Sequence, residues 1–258
     1  MPLPKIDLPT YELKLVSQPT PIKFRPFLVK EEKILLMALQ SEDETTILSA
    51  IKQVINNCIV TESVDIDKIP IFDLEYLFLN IRARSVGEMI ETYYMCRNVL
   101  QAEGEEPSEE QADGEQELNE CSNLMLIQVN LTDIKPPIFD LPSKIMITDK
   151  IGIQMKFPNL MSFSPIKDLI ISGDNDAVFD LIYSCSEYVF DADGVYYTSE
   201  SSKEEFDNLL NSLTQEQFDR ITNFFEMLPK MEFNTKHTCD KCGFVHDIHL
   251  EGLNDFFT

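Results

Sequence analysis

Two cysteines near the C-terminus have the most specific chemical pattern in this chain. They stand in the sequence Cys239-Asp240-Lys241-Cys242-Gly243, between two segments, 231–238 and 243–250, that are typical of β-strands. Two thiolates two residues apart, followed by a glycine where the backbone must curl, are typical of a zinc knuckle. A structural zinc ion requires four ligands. The pattern therefore supplies half a site, and two further ligands must come from elsewhere in the chain.

The other candidate ligands are Cys96 and Cys121. A strand predicted over 88–95 leads into Cys96, and a strand predicted over 124–131 follows Cys121. Residues 102–120, which lie between the two cysteines, include nine acidic residues and no basic one. We expect this segment to be a disordered loop, because it has too few apolar side chains to pack. Cys96 and Cys121 then form a second knuckle with an enlarged turn, or they are two unrelated buried thiols.

The order of the predicted elements suggests an internal repeat. A helix ending at Cys58, a helix over 72–84 and a strand leading to Cys96 are followed by a helix ending at Cys185, a helix over 214–228 and a strand leading to Cys239. The alternative is that this common order recurs by chance. If the repeat is real, its symmetry brings Cys96, Cys121, Cys239 and Cys242 together as the ligands of one structural zinc, with no open position for chemistry.

These elements predict an α+β protein built from two similar helix-plus-hairpin halves, with short antiparallel sheets and a C-terminal hairpin that resembles a zinc knuckle. We expect an N-terminal arm or hairpin over 1–28, a first half over 29–135 that includes the acidic loop, and a second half over 136–258. A short element is predicted over 166–171. Three pairs with capping-box spacing predict helix starts: Ser41 with Glu44, Ser202 with Glu205, and Thr214 with Gln217.

Motifs for catalysis are missing from the sequence. It has no GxGxxG, phosphate loop, GxSxG or HExxH pattern, so we predict that the protein is not an enzyme. His246 and His249 do not have the spacing of a Cys-Cys-His-His finger. On a strand they point to opposite faces, and we expect both to be solvated or at a sheet edge.

Charge and hydropathy narrow the choice of partner. The formal net charge is −24 over 258 residues, which repels nucleic acids and anionic membranes and favours protein partners. The hydrophobic content of 43% is sufficient for a substantial core. No signal peptide or membrane-spanning run is recognisable, and we expect a soluble intracellular protein.

The chain resembles the baseplate hub subunit or hub assembly proteins of T-even-type tailed bacteriophages. The resemblance lies in PKIDLPTYEL (4–13), FRPFLVKEEKILLMAL (24–39), FDLEYLFLNIRARSVGE (72–88), LTQEQFDRITNFFEMLPK (213–230) and CDKCGFVHDIHLEGLNDFF (239–257). It implies a non-enzymatic role in building the baseplate hub, with other phage baseplate hub proteins as partners. The expected locations are the host cytoplasm during assembly and the tail baseplate of the virion.

Two further expectations concern contacts with partners. Phe256 and Phe257 are adjacent aromatic residues near the C-terminus, and a helix or strand cannot turn both inward, so we predict that one of them binds a partner. The rival function is a zinc-ribbon adaptor that acts in transcription or on nucleic acid. The excess of acidic over basic residues in 231–258 argues against this rival, since nucleic-acid-binding ribbons have a basic surface.

Overall fold

A computed structural model describes residues 7–41, 43–62, 64–99, 120–135, 142–163 and 175–252. It confirms the expected α+β class, with helices and short antiparallel sheets. The acidic segment 102–119, the predicted element at 166–171 and the Phe256–Phe257 pair lie outside the described residues.

The N-terminal part forms a hairpin packed on helices. Strand β1 (Tyr11–Leu13) pairs antiparallel with β2 (Ile22–Phe24). Helices α1 (Val29–Leu39), α2 (Glu44–Cys58) and α3 (Ile71–Ser85) follow. Helix α3 has an acidic residue in its first turn and two arginines in its last turn, the arrangement that the helix dipole favours.

The predicted cap of α2 was wrong by two residues. The N-cap is Asp43, whose carboxylate accepts a hydrogen bond from the Thr46 backbone N–H at 2.9 Å. The Ser41 hydroxyl instead donates to the carbonyl of Ala38 at 2.6 Å and closes the end of α1. An aspartate placed closer to the helix therefore replaces the predicted serine, and its negative charge suits the helix N-terminus.

The middle of the chain contains one hairpin and one larger sheet. Strands β3 (Met89–Met95) and β4 (Leu124–Asn130) pair antiparallel. Strands β5 (Lys144–Met146), β6 (Gly152–Met155), β7 (Ser186–Phe190) and β8 (Val195–Tyr197) form an antiparallel sheet in sequence order.

Four helices belong to this part of the chain. Two of them lie between β6 and β7, namely α4 (Leu160–Phe163) and α5 (Asn175–Cys185), and two follow β8, namely α6 (Lys203–Asn211) and α7 (Gln215–Glu226). The two capping boxes predicted for α6 and α7 are both present. The C-terminal hairpin consists of β9 (Glu232–Thr238) and β10 (Val245–Glu251), which pair antiparallel as the sequence predicted.

Three clusters of buried apolar side chains hold these elements together. The first joins β1, β2, α2 and α3. The second joins α3, β3, β4 and the C-terminal hairpin. The third joins β6, α5, α6 and α7. Helix α3 contributes Leu77 and Ile81 to the first cluster and Leu79 and Ala83 to the second, so it connects the N-terminal hairpin to the two cysteine-bearing hairpins.

Candidate metal centre

The four predicted cysteines converge at the ends of the β3–β4 and β9–β10 hairpins. The Sγ atoms of Cys96 and Cys242 are 3.6 Å apart, and those of Cys121 and Cys239 are 3.8 Å apart. All four sulfur atoms lie within 4.8 Å of one another. A regular tetrahedron with Zn–S bonds of about 2.3 Å has sulfur–sulfur edges of about 3.8 Å. The four thiols therefore have the spacing that one tetrahedral metal ion requires.

Both cysteine turns have the same backbone hydrogen bonds. In the C-terminal turn, the Cys239 N–H donates to the carbonyl of Phe244 and the Gly243 N–H donates to the carbonyl of Cys239, each at 2.8 Å. The equivalent bonds of the first turn run from Cys96 to Asn123 at 2.8 Å and from Ser122 to Cys96 at 2.9 Å. Counted from the cysteines, Cys96, Ser122 and Asn123 of the first turn are therefore equivalent to Cys239, Gly243 and Phe244 of the second.

The residue after the second cysteine has a left-handed backbone in both turns. Gly243 has a φ of 71° and Ser122 has a φ of 50°. Ser122 is the one non-glycine residue with positive φ in the part of the chain that the structure describes. An L-residue adopts this conformation at some cost, which glycine avoids. Both turns therefore form the knuckle bend, although glycine marks that bend in the sequence of the second turn alone.

The strands around the two turns also match. Each of the four strands has seven residues, and each pairing starts at equivalent positions, Met95 with Leu124 and Thr238 with Val245. The two hairpins are therefore two copies of one structural unit, and the first copy has the acidic segment inserted between its cysteines. The insertion leaves the ligand geometry intact, because its two ends meet at the antiparallel bridge between Val99 and Glu120.

Burial and hydrogen bonds act in opposite directions on the thiols. Cys96, Cys121 and Cys239 are buried, and Cys242 is partly buried. Burial raises the pKa of Cys96 to about 12 and also raises the pKa of Cys121. Burial opposes ionisation of Cys239 as well, but the backbone N–H groups of Cys242 and Lys241 and the Asn123 amide outweigh it and lower the Cys239 pKa to about 6. The C-terminal knuckle is thus organised to hold a thiolate.

Polar side chains around the cluster direct donors toward the sulfur atoms. The Asn123 amide donates to Cys239 Sγ at 3.4 Å, and the Asn98 amide donates to Cys242 Sγ at 3.7 Å. His246 Nε2 lies 3.1 Å from Cys96 Sγ. Lys241 Nζ donates to the carbonyl of Cys121 at 2.8 Å and ties the two turns together. Such donors orient metal-bound thiolates and offset their negative charge.

His246 lies on a strand of a two-stranded sheet, but its side chain is buried, so the prediction that it is solvated was wrong. It is 9% exposed and lies on the inner face of β10 with Ile248 and Leu250. Its ring contacts the rings of Tyr94 and Phe244. His249 is exposed on the opposite face, as predicted. The alternation of His246 with two buried apolar residues was the signal in the sequence that placed His246 inside.

Two cysteines do not take part in the cluster. Cys58 lies in the N-terminal core near Arg25, and Cys185 lies in the third core near Ser162. A second group of potential ligands, Glu232, His249 and Glu251, lies on the outer face of the C-terminal hairpin. Lys230 already pairs with Glu251 at 2.7 Å there, so this group has a neutralising partner without a metal.

Residues 8–258 match the family profile described as T4 bacteriophage base plate protein. The match covers nearly the whole chain, including both cysteine hairpins. The chain belongs to this baseplate protein family. No curated protein and no solved structure matches the baseplate protein. Among the described residues of the baseplate protein, no helix has both the length and the apolar composition needed to cross a membrane.

Proposed function

We propose that this baseplate protein is a non-enzymatic component of the baseplate hub, acting as a hub subunit or as a hub assembly factor through contacts with other hub proteins. Its sites of action are the host cytoplasm during assembly and the tail baseplate of the virion. The observation that carries the proposal is the family match over residues 8–258. The hub assignment within that family rests on the five sequence segments that resemble hub proteins.

The cysteine cluster supports a structural role, and we propose one zinc ion as its occupant. Four thiolates complete the tetrahedral coordination of zinc and leave no position for a substrate or an activated water. A two-stranded hairpin is at best marginally stable by itself in water. One ion bound by Cys96, Cys121, Cys239 and Cys242 would join two such hairpins from distant parts of the chain, and its binding free energy would then stabilise the fold.

We expect elemental analysis of protein purified without chelator to give one zinc per chain. Cys239→Ser should abolish the bound zinc and lower the melting temperature by about 10 °C or more, because loss of a structural metal is among the largest single-site effects. Cys185→Ser is the matched control, since it changes a buried cysteine outside the cluster and should retain the zinc. A zinc content near zero in a stably folded wild-type protein would contradict the metal assignment.

The hub role is tested by affinity purification of the tagged protein from infected cells, followed by mass spectrometry. We expect other hub proteins of the same phage to co-purify. A resident subunit should also be found in purified virions, whereas an assembly factor should be found in assembly intermediates and be missing from virions. Recovery of the protein without any baseplate component would refute the proposal.

The ribbon-like pairing of two knuckles is the observation that favours the rival function, an adaptor on nucleic acid. The outer face of the C-terminal hairpin opposes it, because Lys236 is paired there with Asp247 at 3.0 Å and Glu232 and Glu251 lie on the same hairpin. Nucleic-acid-binding surfaces present clustered positive charge instead. A gel-shift experiment over a range of salt concentrations separates the two functions, since salt-sensitive binding to DNA or RNA would support the rival.

A further inference from the structure

The outward face of the β3–β4 hairpin has a contiguous group of exposed apolar side chains. Tyr93 is 63% exposed, Met95 50%, Leu124 57% and Leu126 40%. Tyr93 lies opposite Leu126 and Met95 lies opposite Leu124 in the antiparallel register, so the four residues form two adjacent cross-strand pairs. Neighbouring pairs on one face of a sheet lie within reach of each other. We call this group the apolar hairpin face.

The other side of the same hairpin already provides the core contacts. Ile90, Met125 and Ile127 alternate with the exposed residues and are buried in the second core cluster. The hairpin thus has one apolar side that packs inside the molecule and a second apolar side that stays exposed in the part of the chain that the structure describes. Contiguous exposed apolar groups on soluble proteins mark interaction sites.

The C-terminal hairpin shows that the fold does not require apolar residues at three of these four positions. Counted from the cysteines, the residues equivalent to Tyr93 and Leu126 are Lys236 and Asp247, which form an ion pair at 3.0 Å. The equivalent of Met95 is Thr238, whereas the equivalent of Leu124 is Val245, which is apolar and exposed. Two hairpins with the same strand lengths, register and cysteine turns therefore differ in the chemistry of their outer faces. Hairpin formation does not account for this difference, whereas a binding partner does.

Charge indicates which kind of partner fits the apolar hairpin face. The chain has 45 acidic and 21 basic residues. Glu91 lies on the same face of β3 next to the apolar pairs, and its carboxylate accepts a hydrogen bond from the Gln128 amide at 3.1 Å. A second copy of the chain would bring two strongly negative molecules together. Nucleic acids and anionic membranes would be repelled for the same reason.

We infer that the apolar hairpin face is the docking surface for another protein of the same baseplate, one whose contact surface is apolar and bordered by lysine or arginine residues. This inference rests on the proposed function and locates the contact that it requires. Large aromatic and aliphatic side chains at the centre of an interface supply most of its binding energy, and complementary charges around them increase the association rate.

The test is a binding panel made of the other baseplate proteins of the same phage, each purified and measured by biolayer interferometry. The variant is Tyr93→Ser/Leu126→Ser. The matched control is Val195→Ser/Tyr196→Ser, which removes two apolar side chains of β8 that are each 51% exposed. We expect at least one panel member to bind the variant at least about tenfold more weakly than the wild type, with no change for the control. The association rate for the wild type should fall as salt concentration rises.

The other outcomes overturn the inference in distinguishable ways. If panel members bind and the Tyr93→Ser/Leu126→Ser variant binds equally well, the hub function stands and the surface is wrong. Loss of binding in Phe256→Ala/Phe257→Ala alone would place the contact at the C-terminus instead.

The remaining outcomes concern other occupants of the apolar hairpin face. A melting temperature of Tyr93→Ser/Leu126→Ser several degrees below that of the wild type would show that another part of the same chain covers this face. Self-association of the wild type that the variant abolishes would identify a second copy as the occupant. Failure of every panel member to bind the wild type would refute the surface, and the virion and co-purification experiment decides the proposed function separately.

Discussion

At the residue scale, the cysteine cluster combines four thiols with three side chains whose nitrogen atoms contact the sulfur atoms. The sequence predicted all four thiols. Cys239 and Cys242 form a local CxxC pattern followed by glycine, and the repeated order of elements indicated that Cys96 and Cys121 lie beside them. The side chains that contact these thiols, Asn98, Asn123 and His246, could not be found in this way. Each contacts a sulfur atom more than 100 positions away in the chain, so their roles depend on how the two hairpins pack.

His246→Phe tests the contribution of one of these contacts, between His246 Nε2 and Cys96 Sγ. Phenylalanine retains an aromatic ring between Tyr94 and Phe244 but has no ring nitrogen to bind Cys96 Sγ. We expect the dissociation constant for zinc to rise by about tenfold, the low end of the effects seen when groups that orient metal ligands are removed. Competition with a chelator of known zinc affinity measures this change.

His249→Phe is the control for that variant. His249 is on the opposite, exposed face of β10, where it contacts Asn234 and Glu251 rather than a cysteine. Its replacement should leave zinc affinity unchanged. Equal zinc affinities for the two variants and the wild type would show that the His246 contact with Cys96 has no part in metal binding.

At the element scale, the sequence predicted most helices and strands because their signals are local. The capping boxes at Ser202 and Thr214 and the turn at 191–194 specify neighbouring backbone directly. The cap of α2 was mispredicted because serine and aspartate compete for that position within three residues. Local patterns therefore predict the presence of a helix or strand more reliably than they predict its first residue.

Long-range contacts between elements were not predictable from local patterns. Asp73 in the first turn of α3 is completely buried and accepts hydrogen bonds from the backbone N–H groups of Val16 at 3.0 Å and Ser17 at 2.7 Å. This carboxylate attaches the N-terminal hairpin to α3. In the sequence, Asp73 was one of 45 acidic residues, and no spacing distinguished it from the exposed ones.

At the scale of the whole molecule, the described residues form three cores, and the cysteine cluster belongs to the second. Helix α3 links the first core to the second. In the second core, the C-terminal hairpin β9–β10 packs with the β3–β4 hairpin, which lies far from it in the sequence. The acidic composition acts on the molecule as a whole. A net charge of −24 disfavours association between copies of the chain and favours positively charged partners for exposed groups such as the apolar hairpin face.

Replacing residues 102–119 with a Gly-Ser-Gly-Ser linker tests whether the fold depends on the acidic insertion. The ends of the insertion are already adjacent, because Val99 bridges Glu120 and the Cys121 N–H donates to the carbonyl of Asn98 at 2.9 Å. A shorter loop costs less entropy to close, and the change removes eight acidic residues from a strongly negative chain. We expect a melting temperature within about 2 °C of the wild type and an unchanged zinc content. A chain with residues 102–119 scrambled is the control for length and charge. A loss of several degrees in the linker variant would mean that the insertion packs on the body of the protein, and the prediction that it is a disordered loop would then be wrong.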